Sequence, residues 1–481
     1  MLFCGVMIRR DSRPRRLALQ VAWSLPLFLL VATCGRRVEP VQVEPVQKVK
    51  TGPLNVLMVV VDTLRADRLS LYGYRRPTSP NLDAFARDAV VFTNSRSPAG
   101  CTFPSTNSLL TSREPSVFLL WPNHTMGIPE GVRSFAEILR PHGYSTAAVS
   151  ASPIARATGS YINTVGGFGR GFQSFDEECL DKHAHCLNEK AGALLQTLPQ
   201  PWFLYLHFME PHAPYRIPPD APRRFSAGMD SPRPSGVHPW AWRGDTYPML
   251  QRIYDGDKEW VFTPQDLARL SDLYDEEIAY FDGELAKLLA VLRQRGLFDN
   301  TLIVFTADHG EEQYEHGGYG HCRSLAHETI LRTPLLMRIP GEQGRRRQEL
   351  VGNLDVVPTL LDYLGLANTG VPFDGTSLRP VIEKDRPVNR LAFGNQGDTR
   401  TVTDGREKLS FDLSTKTARL FDLTTDPWEK TDLSAKRPEE ARRFEAVLLH
   451  WMKSREGGAG SDLARRRAAE LEKELHSVGY L

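Results

Sequence analysis

The chain has 481 residues, of which 41% are hydrophobic, and its 59 lysines and arginines almost balance its 58 aspartates and glutamates. This balance gives no support for a nucleic-acid or polyanion partner, because proteins that bind such partners usually carry an excess of basic residues. The length is sufficient for one large hydrophobic core and a second, smaller one.

The N-terminal segment differs in character from the rest. Arginine occupies five of the positions 9–16, and the apolar stretch that follows, 17–32, is interrupted by Pro26. This stretch is too short and too interrupted for a membrane span, but it suits the apolar part of a signal peptide. It ends in Val31-Ala32-Thr33-Cys34-Gly35, which resembles a bacterial lipoprotein cleavage box.

We therefore predict a signal peptide over residues 1–33 and lipidation of Cys34. A Pro-rich spacer would span 34–53 and hold the following domain away from a membrane surface. The protein is then expected to be exported, as a periplasmic or cell-envelope lipoprotein anchored to a membrane. An ordinary secretory signal or an uncleaved anchor remains the alternative.

Two apolar runs end in residues that can bind a metal ion. Val56–Val61 is followed directly by Asp62, and Thr301–Phe305 is followed three residues later by Asp308 and then His309. Continuous β-branched and aromatic runs are typical of parallel strands that are buried on both faces. Because the carboxyl ends of such strands meet at one edge of a sheet, we expect these three polar residues to bind one divalent cation.

The elements between these two runs alternate between helix and strand. The pattern predicts a helix over 82–90 capped by Asn81, another helix over 132–139, and buried strands at 146–149 and 202–208. This alternation predicts an α/β domain with a mostly parallel sheet and helices on both faces.

A longer connection and a long helix precede the second strand run. Residues 218–247 are rich in Pro, Gly, Arg and Trp without periodicity, and both a substrate-recognition loop and an insertion without function remain open. Thr263, Pro264 and Asp266 then form a strong helix-start signal. We interpret four acidic residues of this helix as a solvated face rather than a metal site: Asp275, Glu276, Glu277 and Asp282.

The C-terminal part has the pattern of a small antiparallel sheet. Asp404-Gly405 predicts a hairpin turn, and helices are predicted over 438–453 and 461–476. We therefore divide the chain into a large α/β domain over 54–387 and a C-terminal α+β subdomain over 388–481.

A series of short motifs leads to a family. In chain order the motifs are Val61–Asp67, Thr102–Ser105, Met209–Tyr215, Ala307–Glu311, Glu315–Gly317, Gly320–His321, Arg332–Leu336, Phe373–Leu378 and Phe421–Leu423. In this order they resemble the sulfatases, within the alkaline phosphatase superfamily, over nearly all of the chain after its first fifty residues. The resemblance implies the sulfatase fold and a metal-dependent hydrolase acting on ester bonds.

The chain departs from the main sulfatase pattern at the nucleophile. That pattern is Cys-x-Pro-x-Arg, in which the Cys is oxidised to formylglycine. Here Phe103 occupies the second place after Cys101, and alignment on Pro104 puts Thr102 at the nucleophile position and Thr106 in place of the Arg. We therefore expect Thr102 to act as an unmodified nucleophile and as a fourth metal ligand, with no formylglycine at Cys101.

The resemblance also assigns histidines to the site. His212 and His321 correspond to family residues that contact the ester oxygens, and either could stabilise charge or protonate the leaving group. We expect His207 and His316 to lie behind the residues that touch the metal or substrate. His309 stands where many sulfatases have Asn, so Ca²⁺, Mn²⁺ and Zn²⁺ all remain open for the cation.

Two cationic contacts of the family are missing. Thr106 replaces an Arg, and the family's Lys-x-His is absent, since the matching stretch is Ser150–Pro153. This favours a singly charged sulfate or phosphorus ester, carried by a small molecule, glycan or lipid, over a dianionic phosphate monoester. A phosphoethanolamine-type transferase acting on a lipid or glycan, and a non-catalytic binding protein, remain as alternatives.

Four cysteines follow residue 34. Cys179 and Cys186 are close enough in sequence to pair in an oxidising periplasm, and both a disulfide and free thiols remain open. Cys101 and Cys322 each neighbour a proposed site residue, so we expect them to lie near one another; we favour two small buried side chains, and a disulfide remains the alternative.

Overall fold

The computed structural model describes residues 52–119, 127–180, 183–226, 233–244, 262–322, 326–384, 386 and 390–455. All of them belong to one compact unit, Val49–Leu481. The predicted signal peptide, Cys34, most of the spacer, the boundary at 388 and the helix at 461–476 lie outside these residues. Within them, no helix is long and apolar enough to cross a membrane.

The described strands build one large sheet, one small sheet and a short ribbon. In chain order they are β1 Asn55–Val61, β2 Val90–Arg96, β3 Ser145–Ser150, β4 Ser174–Asp176, β5 Trp202–Phe208, β6 Thr301–Ala307, β7 Glu312–Gln313, β8 Tyr319–Gly320, β9 Leu335–Arg338, β10 Arg345–Gly352, β11 Ala392–Gln396, β12 Thr399–Thr403, β13 Glu407–Asp412 and β14 Thr417–Asp422.

The eight-stranded sheet has the order β10-β2-β9-β6-β1-β5-β3-β4. Only β9 runs antiparallel to its neighbours, while all other pairs in this sheet are parallel. The predicted mostly parallel sheet is therefore confirmed. It places β1 and β6, the two apolar runs that precede Asp62 and Asp308, side by side near the centre.

The described α-helices are α1 Pro80–Phe85, α2 Thr102–Thr111, α3 Ser116–Leu119, α4 Phe135–Leu139, α5 Ala184–Thr197, α6 Pro239–Trp242, α7 Pro264–Gln294, α8 Glu328–Leu331, α9 Val356–Tyr363, α10 Arg379–Lys384 and α11 Pro438–Arg455. The predicted start of α7 is confirmed, because Thr263 and Asp266 form a reciprocal capping box with Pro264 in the first turn.

Alternate residues of β1 serve two different core layers. On one face of the sheet, Leu57, Val59 and Val61 pack with α5 and α7. On the other face, Val56, Met58 and Val60 pack with α2, α4, α9 and α10. Every residue of β1 is buried. The continuous apolar run therefore reflects a strand that is covered by helices on both sides, as predicted.

The C-terminal subdomain has its own small core. Strands β11 to β14 form an antiparallel meander, and the predicted turn at Asp404-Gly405 connects β12 to β13. Leu409, Phe411 and Leu420 of this sheet pack against residues of α11. The expectation of a small antiparallel sheet covered by a helix is thus confirmed.

The predicted helix over 82–90 is shorter than expected and has a different cap. It spans Pro80–Phe85, with Ser79 at the N-cap position, and β2 already begins at Val90. Asn81 does not cap the helix, because its side-chain amide donates to Asp282 Oδ2 of α7 at 2.8 Å. The Asn81 side chain therefore makes a tertiary contact with α7 instead of the local capping contact that the sequence pattern predicted.

The acidic face of α7 is not solvated, which contradicts our interpretation. Asp275 forms an ion pair with Arg76 at 2.9 Å. Glu276 accepts backbone N–H groups of residues 224–226 at 2.7–3.0 Å. Because neighbouring segments cover this long helix on more than one side, all four carboxylates are at most 3% exposed: Asp275, Glu276, Glu277 and Asp282.

Both cysteine pairs form disulfides. Cys179–Cys186 realises the pairing that the sequence left open. Cys101–Cys322 was expected to be two small buried side chains, and this expectation is wrong: the pair is bonded, with Cα atoms 4.7 Å apart, and Cys322 is exposed. The two loops meet here because the Cys322 amide donates to the Gly100 carbonyl at 3.0 Å.

Candidate active site

The central strands bring the acidic residues of the site together. Val61 of β1 is in register with Phe208 of β5 and with Ala307 of β6. The residues that follow Val61 and Ala307 are Asp62 and Asp308, which therefore leave the same edge of the sheet. Both are essentially inaccessible to solvent, with relative exposures of 1% and 0%.

His309 completes this group with a defined tautomer. Its Nδ1 lies 2.9 Å from the Gly310 carbonyl, which can only accept, so Nδ1 carries the proton and Nε2 has a free lone pair. Nε2 lies 3.4 Å from Asp308 Oδ2, 3.9 Å from Asp62 Oδ1 and 3.3 Å from Thr102 Oγ1. Three potential ligand oxygens thus lie within 3.9 Å of His309 Nε2.

The donor set fits a divalent cation. Asp62 Oδ1 and Asp308 Oδ2 are buried and have no hydrogen-bond partner among the described residues. Burial, together with the charge of Asp62, raises the pKa of Asp308. Two buried carboxylates with unsatisfied oxygens are costly unless a positive charge lies between them. Asp62, Asp308, His309 and Thr102 would hold that cation.

His207 lies behind the acidic pair. The distances also group it with Asp62 and Asp308 as a potential ligand, all three being buried. Burial raises the pKa of Tyr205, so its hydroxyl stays protonated and donates to His207 Nδ1 at 2.7 Å. His207 Nε2 then donates to Asp62 Oδ2 at 3.2 Å. In this tautomer His207 orients a ligand rather than acting as one.

The contact between His207 and Asp62 also affects ionisation. Burial by itself raises the pKa of Asp62, but the hydrogen bond from His207 and the nearby imidazoles of His212 and His309 outweigh it and leave the pKa lowered. The sequence signal that could have placed His207 here is its position one residue before the end of β5, opposite Val60.

Thr102 occupies the first position of α2, directly after the disulfide-bonded Cys101. It is 1% exposed. The unpaired N–H groups of a helix N-terminus favour negative charge, which suits an alkoxide or an ester oxygen at this place. The disulfide to Cys322 ties the Thr102 loop to the loop that contains His321.

The two predicted catalytic histidines lie together next to His309. The ring centroid of His321 is 5.0 Å from that of His212 and 4.6 Å from that of His309. His321 Nδ1 lies 3.2 Å from Glu311 Oε1, and Glu311 Oε2 accepts from the Tyr215 hydroxyl at 2.6 Å. Glu311 and Tyr215 both lie within motifs of the family resemblance, but no role was predicted for either of them.

Glu311 is a buried, charged partner for His321. Burial opposes ionisation, but the hydrogen bond and the positive charge of His321, together with His212, lower the pKa of Glu311. Because the carboxylate can only accept, Nδ1 of His321 carries its proton, which leaves Nε2 without a partner among the described residues. A ring held in this way can exchange a proton through Nε2.

Arg65 holds the loop that contains these groups. Its buried guanidinium donates to both oxygens of Asp67 at 3.0 and 2.9 Å, to Glu315 Oε1 at 2.6 Å and to the Glu311 carbonyl at 3.0 Å. Burial by itself lowers the pKa of Arg65, but the charges of Asp67 and Glu315 raise it by more than burial lowers it. The net pKa is therefore raised, and the guanidinium remains charged.

Comparison with known proteins places this geometry in context. The family profile described as Sulfatase matches residues 54–366, and that of the C-terminal part of N-sulphoglucosamine sulphohydrolase matches residues 315–448. The chain is 26% identical over 432 residues to a choline-sulfatase of Rhizobium meliloti, covering 80% of this chain and 83% of that one. It is 25% identical over 394 residues to mouse iduronate 2-sulfatase, covering 66% and 69%.

Solved structures show the same fold. A protein in complex with its substrate D-glucosamine-2-N,6-O-disulfate has a TM-score of 0.66 at 18% identity, with 84% of this chain and 98% of that chain covered. The phosphonate monoester hydrolase of Agrobacterium radiobacter also has a TM-score of 0.66, at 21% identity, with 84% and 96% covered.

Proposed function

Because the chain belongs to the sulfatase family, we propose that it is a metal-dependent hydrolase that cleaves a singly charged sulfate or phosphorus ester through Thr102. The observation that carries this proposal is that three buried oxygens, Thr102 Oγ1, Asp62 Oδ1 and Asp308 Oδ2, lie within 3.9 Å of His309 Nε2. A divalent cation bound there would lower the pKa of the Thr102 hydroxyl and neutralise charge on the ester.

The reaction then has two displacement steps at sulfur or phosphorus. Thr102 reacts as the alkoxide, its proton having been released to solvent: Oγ1 forms a bond to the central atom, the bond to the alcohol oxygen breaks, and His321 Nε2 gives that oxygen a proton. Water then attacks the same central atom, His321 Nε2 recovers a proton from the water, and Thr102 leaves as the alkoxide. His212 Nδ1 lies 2.5 Å from the Ala213 carbonyl, and its Nε2, which has no hydrogen-bond partner among the described residues, would contact the non-bridging oxygens.

Within this class we favour a phosphorus ester. A formylglycine hydrate can release sulfate by collapsing to the aldehyde, but a Thr ester has no such route. The bond between Cys101 and Cys322 leaves the Cys101 sulfur without the free thiol that formylglycine formation would need. The missing Lys and Arg contacts argue further for a single negative charge, as in a phosphodiester or a phosphonate monoester.

We also propose that the protein works outside the cytoplasm, anchored through Cys34. This proposal rests on the N-terminal pattern and is supported by the two disulfides, which persist in oxidising compartments. The substrate would then be a sulfated or phosphorylated small molecule, glycan or lipid of the cell envelope.

A side-by-side assay tests the proposed reaction. Metal-replete protein is incubated with an aryl sulfate, an aryl phosphodiester and an aryl phosphonate monoester, and release of the phenol is measured. Thr102→Ala should lose turnover of whichever ester is cleaved. Thr111→Ala, a substitution at the other end of the same helix, should retain it. An active Thr102→Ala protein, or formylglycine detected at Cys101 by mass spectrometry, would contradict the proposal.

The same assay separates the alternatives. Phosphorus-ester turnover that depends on an added alcohol acceptor would indicate a transferase. Binding of the esters without turnover of any of them would indicate a non-catalytic protein.

A further inference from the structure

A second group of metal-ligand side chains lies outside the site described above. Glu312, His316 and His327 each place one potential ligand atom within 4.8 Å of the others. Their side chains are 0%, 13% and 12% exposed. None of them belongs to the strand-end group that surrounds Asp62 and Asp308.

The contacts of His316 require a positive charge at its Nδ1. Nε2 lies 2.7 Å from the Trp428 carbonyl, so Nε2 carries a proton and donates it. Nδ1 lies 2.7 Å from Glu312 Oε1. A neutral ring would present its lone pair to a carboxylate oxygen, which is repulsive. Either a second proton or a cation therefore lies between Glu312 and His316.

His327 supplies the observation that favours a cation. Its Nδ1 is buried without a hydrogen-bond partner among the described residues, 3.5 Å from Glu312 Oε2. The other contact of Oε2 is the Thr329 hydroxyl, at 2.6 Å, which holds the carboxylate in place. A proton shared between Glu312 and His316 leaves His327 Nδ1 with only a long contact of 3.5 Å to Glu312 Oε2, whereas a metal ion can bind all three side chains.

We propose that Glu312, His316 and His327 bind a second divalent cation of the zinc type. One carboxylate and two imidazoles are characteristic ligands of Zn²⁺, and a water molecule would complete a tetrahedral set. The two rings are stacked with centroids 3.5 Å apart, and both Nδ1 atoms already face Glu312, at 2.7 Å from Oε1 for His316 and 3.5 Å from Oε2 for His327. The Trp428 carbonyl then fixes the tautomer of His316.

The position of this site gives it a structural role. Glu312 begins β7 directly after Glu311, and His327 occupies the N-cap position of α8. The Trp428 carbonyl belongs to the segment that follows β14 in the C-terminal subdomain. A cation here would join the loop that contains Glu311 and His321 to α8 and to the C-terminal subdomain.

Zinc binding tests the site independently of turnover. Asp308→Asn protein, in which the strand-end site is weakened, is titrated with Zn²⁺ against a chromophoric chelator, and its zinc content is measured by elemental analysis after dialysis. We expect one tightly bound zinc per chain and a higher Tm with zinc. Adding His327→Gln should weaken the affinity at least ~10-fold, since even the loss of residues behind metal ligands has effects of that order.

A matched control and a second variant keep the result interpretable. His185→Gln removes an exposed histidine that lies 3.3 Å from Glu189 and 3.9 Å from Glu284, outside the proposed site, and should leave zinc affinity unchanged. Glu312→Gln should act like His327→Gln, and an unchanged metal-free Tm shows that a variant is folded. If Asp308→Asn protein binds no zinc, or if His327→Gln leaves its affinity unchanged, the group is an ion pair and the proposal is wrong.

Discussion

Glu311 provides a direct test of how the site handles the leaving group. Its two carboxylate oxygens accept from His321 Nδ1 and from the Tyr215 hydroxyl. In Glu311→Gln one of these oxygens becomes an NH₂ donor, so the side chain can satisfy only one of the two donors. The proton on His321 Nδ1 is then no longer fixed, and the positive charge that forms on the ring loses its partner.

The size of the effect follows from the type of hydrogen bond. A buried hydrogen bond to a charged group contributes about 1.5–3 kcal/mol. Since 1.36 kcal/mol corresponds to a factor of ten in rate, loss of this contact should lower kcat about 10–100-fold. The loss should be largest for esters with basic leaving alcohols, which need a proton, and small for nitrophenyl esters, which do not.

The assay compares kcat for a series of aryl and alkyl esters in Glu311→Gln and in the parent protein. Glu137→Gln, in the capping box of the remote helix α4, is the control and should not change the dependence on the leaving group. A decrease in kcat that is equal for good and poor leaving groups would refute the positioning role, because it would indicate a general loss of structure.

Four further predictions follow from particular residues. Asp308→Asn should lower the content of the divalent ion bound at the strand-end site, measured by elemental analysis, and an unchanged content would contradict the assigned ligands. Cys322→Ser should lower turnover while keeping the protein folded, because the Thr102 and His321 loops are no longer joined; full activity with an unchanged Tm would show that the disulfide has no role in the site. Cys34→Ser should release the protein from membranes or leave an uncleaved precursor, and no change in electrophoretic size or fractionation would exclude the lipoprotein. Burial, together with the charge of Asp374, raises the pKa of Glu114 from 4.5 to about 8. Between these two pH values the folded chain keeps a proton that the unfolded chain releases, so the free energy of unfolding should fall as pH rises from 4.5 to 8. Urea titrations should show a smaller fall for Glu114→Gln.

The sequence predicted the parts of the fold that depend on short-range patterns. Continuous apolar runs identified β1, β5 and β6, because a strand covered on both faces is apolar over most of its length. The position of Asp62 and Asp308 directly after two of these strands was then sufficient to predict that they meet. The start of α7 was predictable for the same reason, since Thr263 and Asp266 interact within one turn.

The features that were missed depend on contacts between distant segments. The carboxylates of α7 look like a solvated face in the sequence, but their partners come from residues as distant as Arg76 and 224–226. The bond between Cys101 and Cys322 joins residues separated by 221 positions. No periodicity or motif reports such a pairing, because it is determined by how two loops meet after the sheet has formed.

These distant contacts bear directly on the chemistry. Thr102 and His321 lie on different loops, and each directly neighbours one cysteine of the same disulfide. Arg65 also binds the loop of Glu311, through Glu315 and the Glu311 carbonyl. In the proposed reaction the proton donor His321 and the metal ligands have to keep their positions relative to Thr102 to within a fraction of an ångström. The reason is that misplacement of a reacting group by about 1 Å can reduce the rate by about 100-fold. The covalent and ionic links between these loops are therefore as much a condition of the proposed reaction as the residues that would touch the ester.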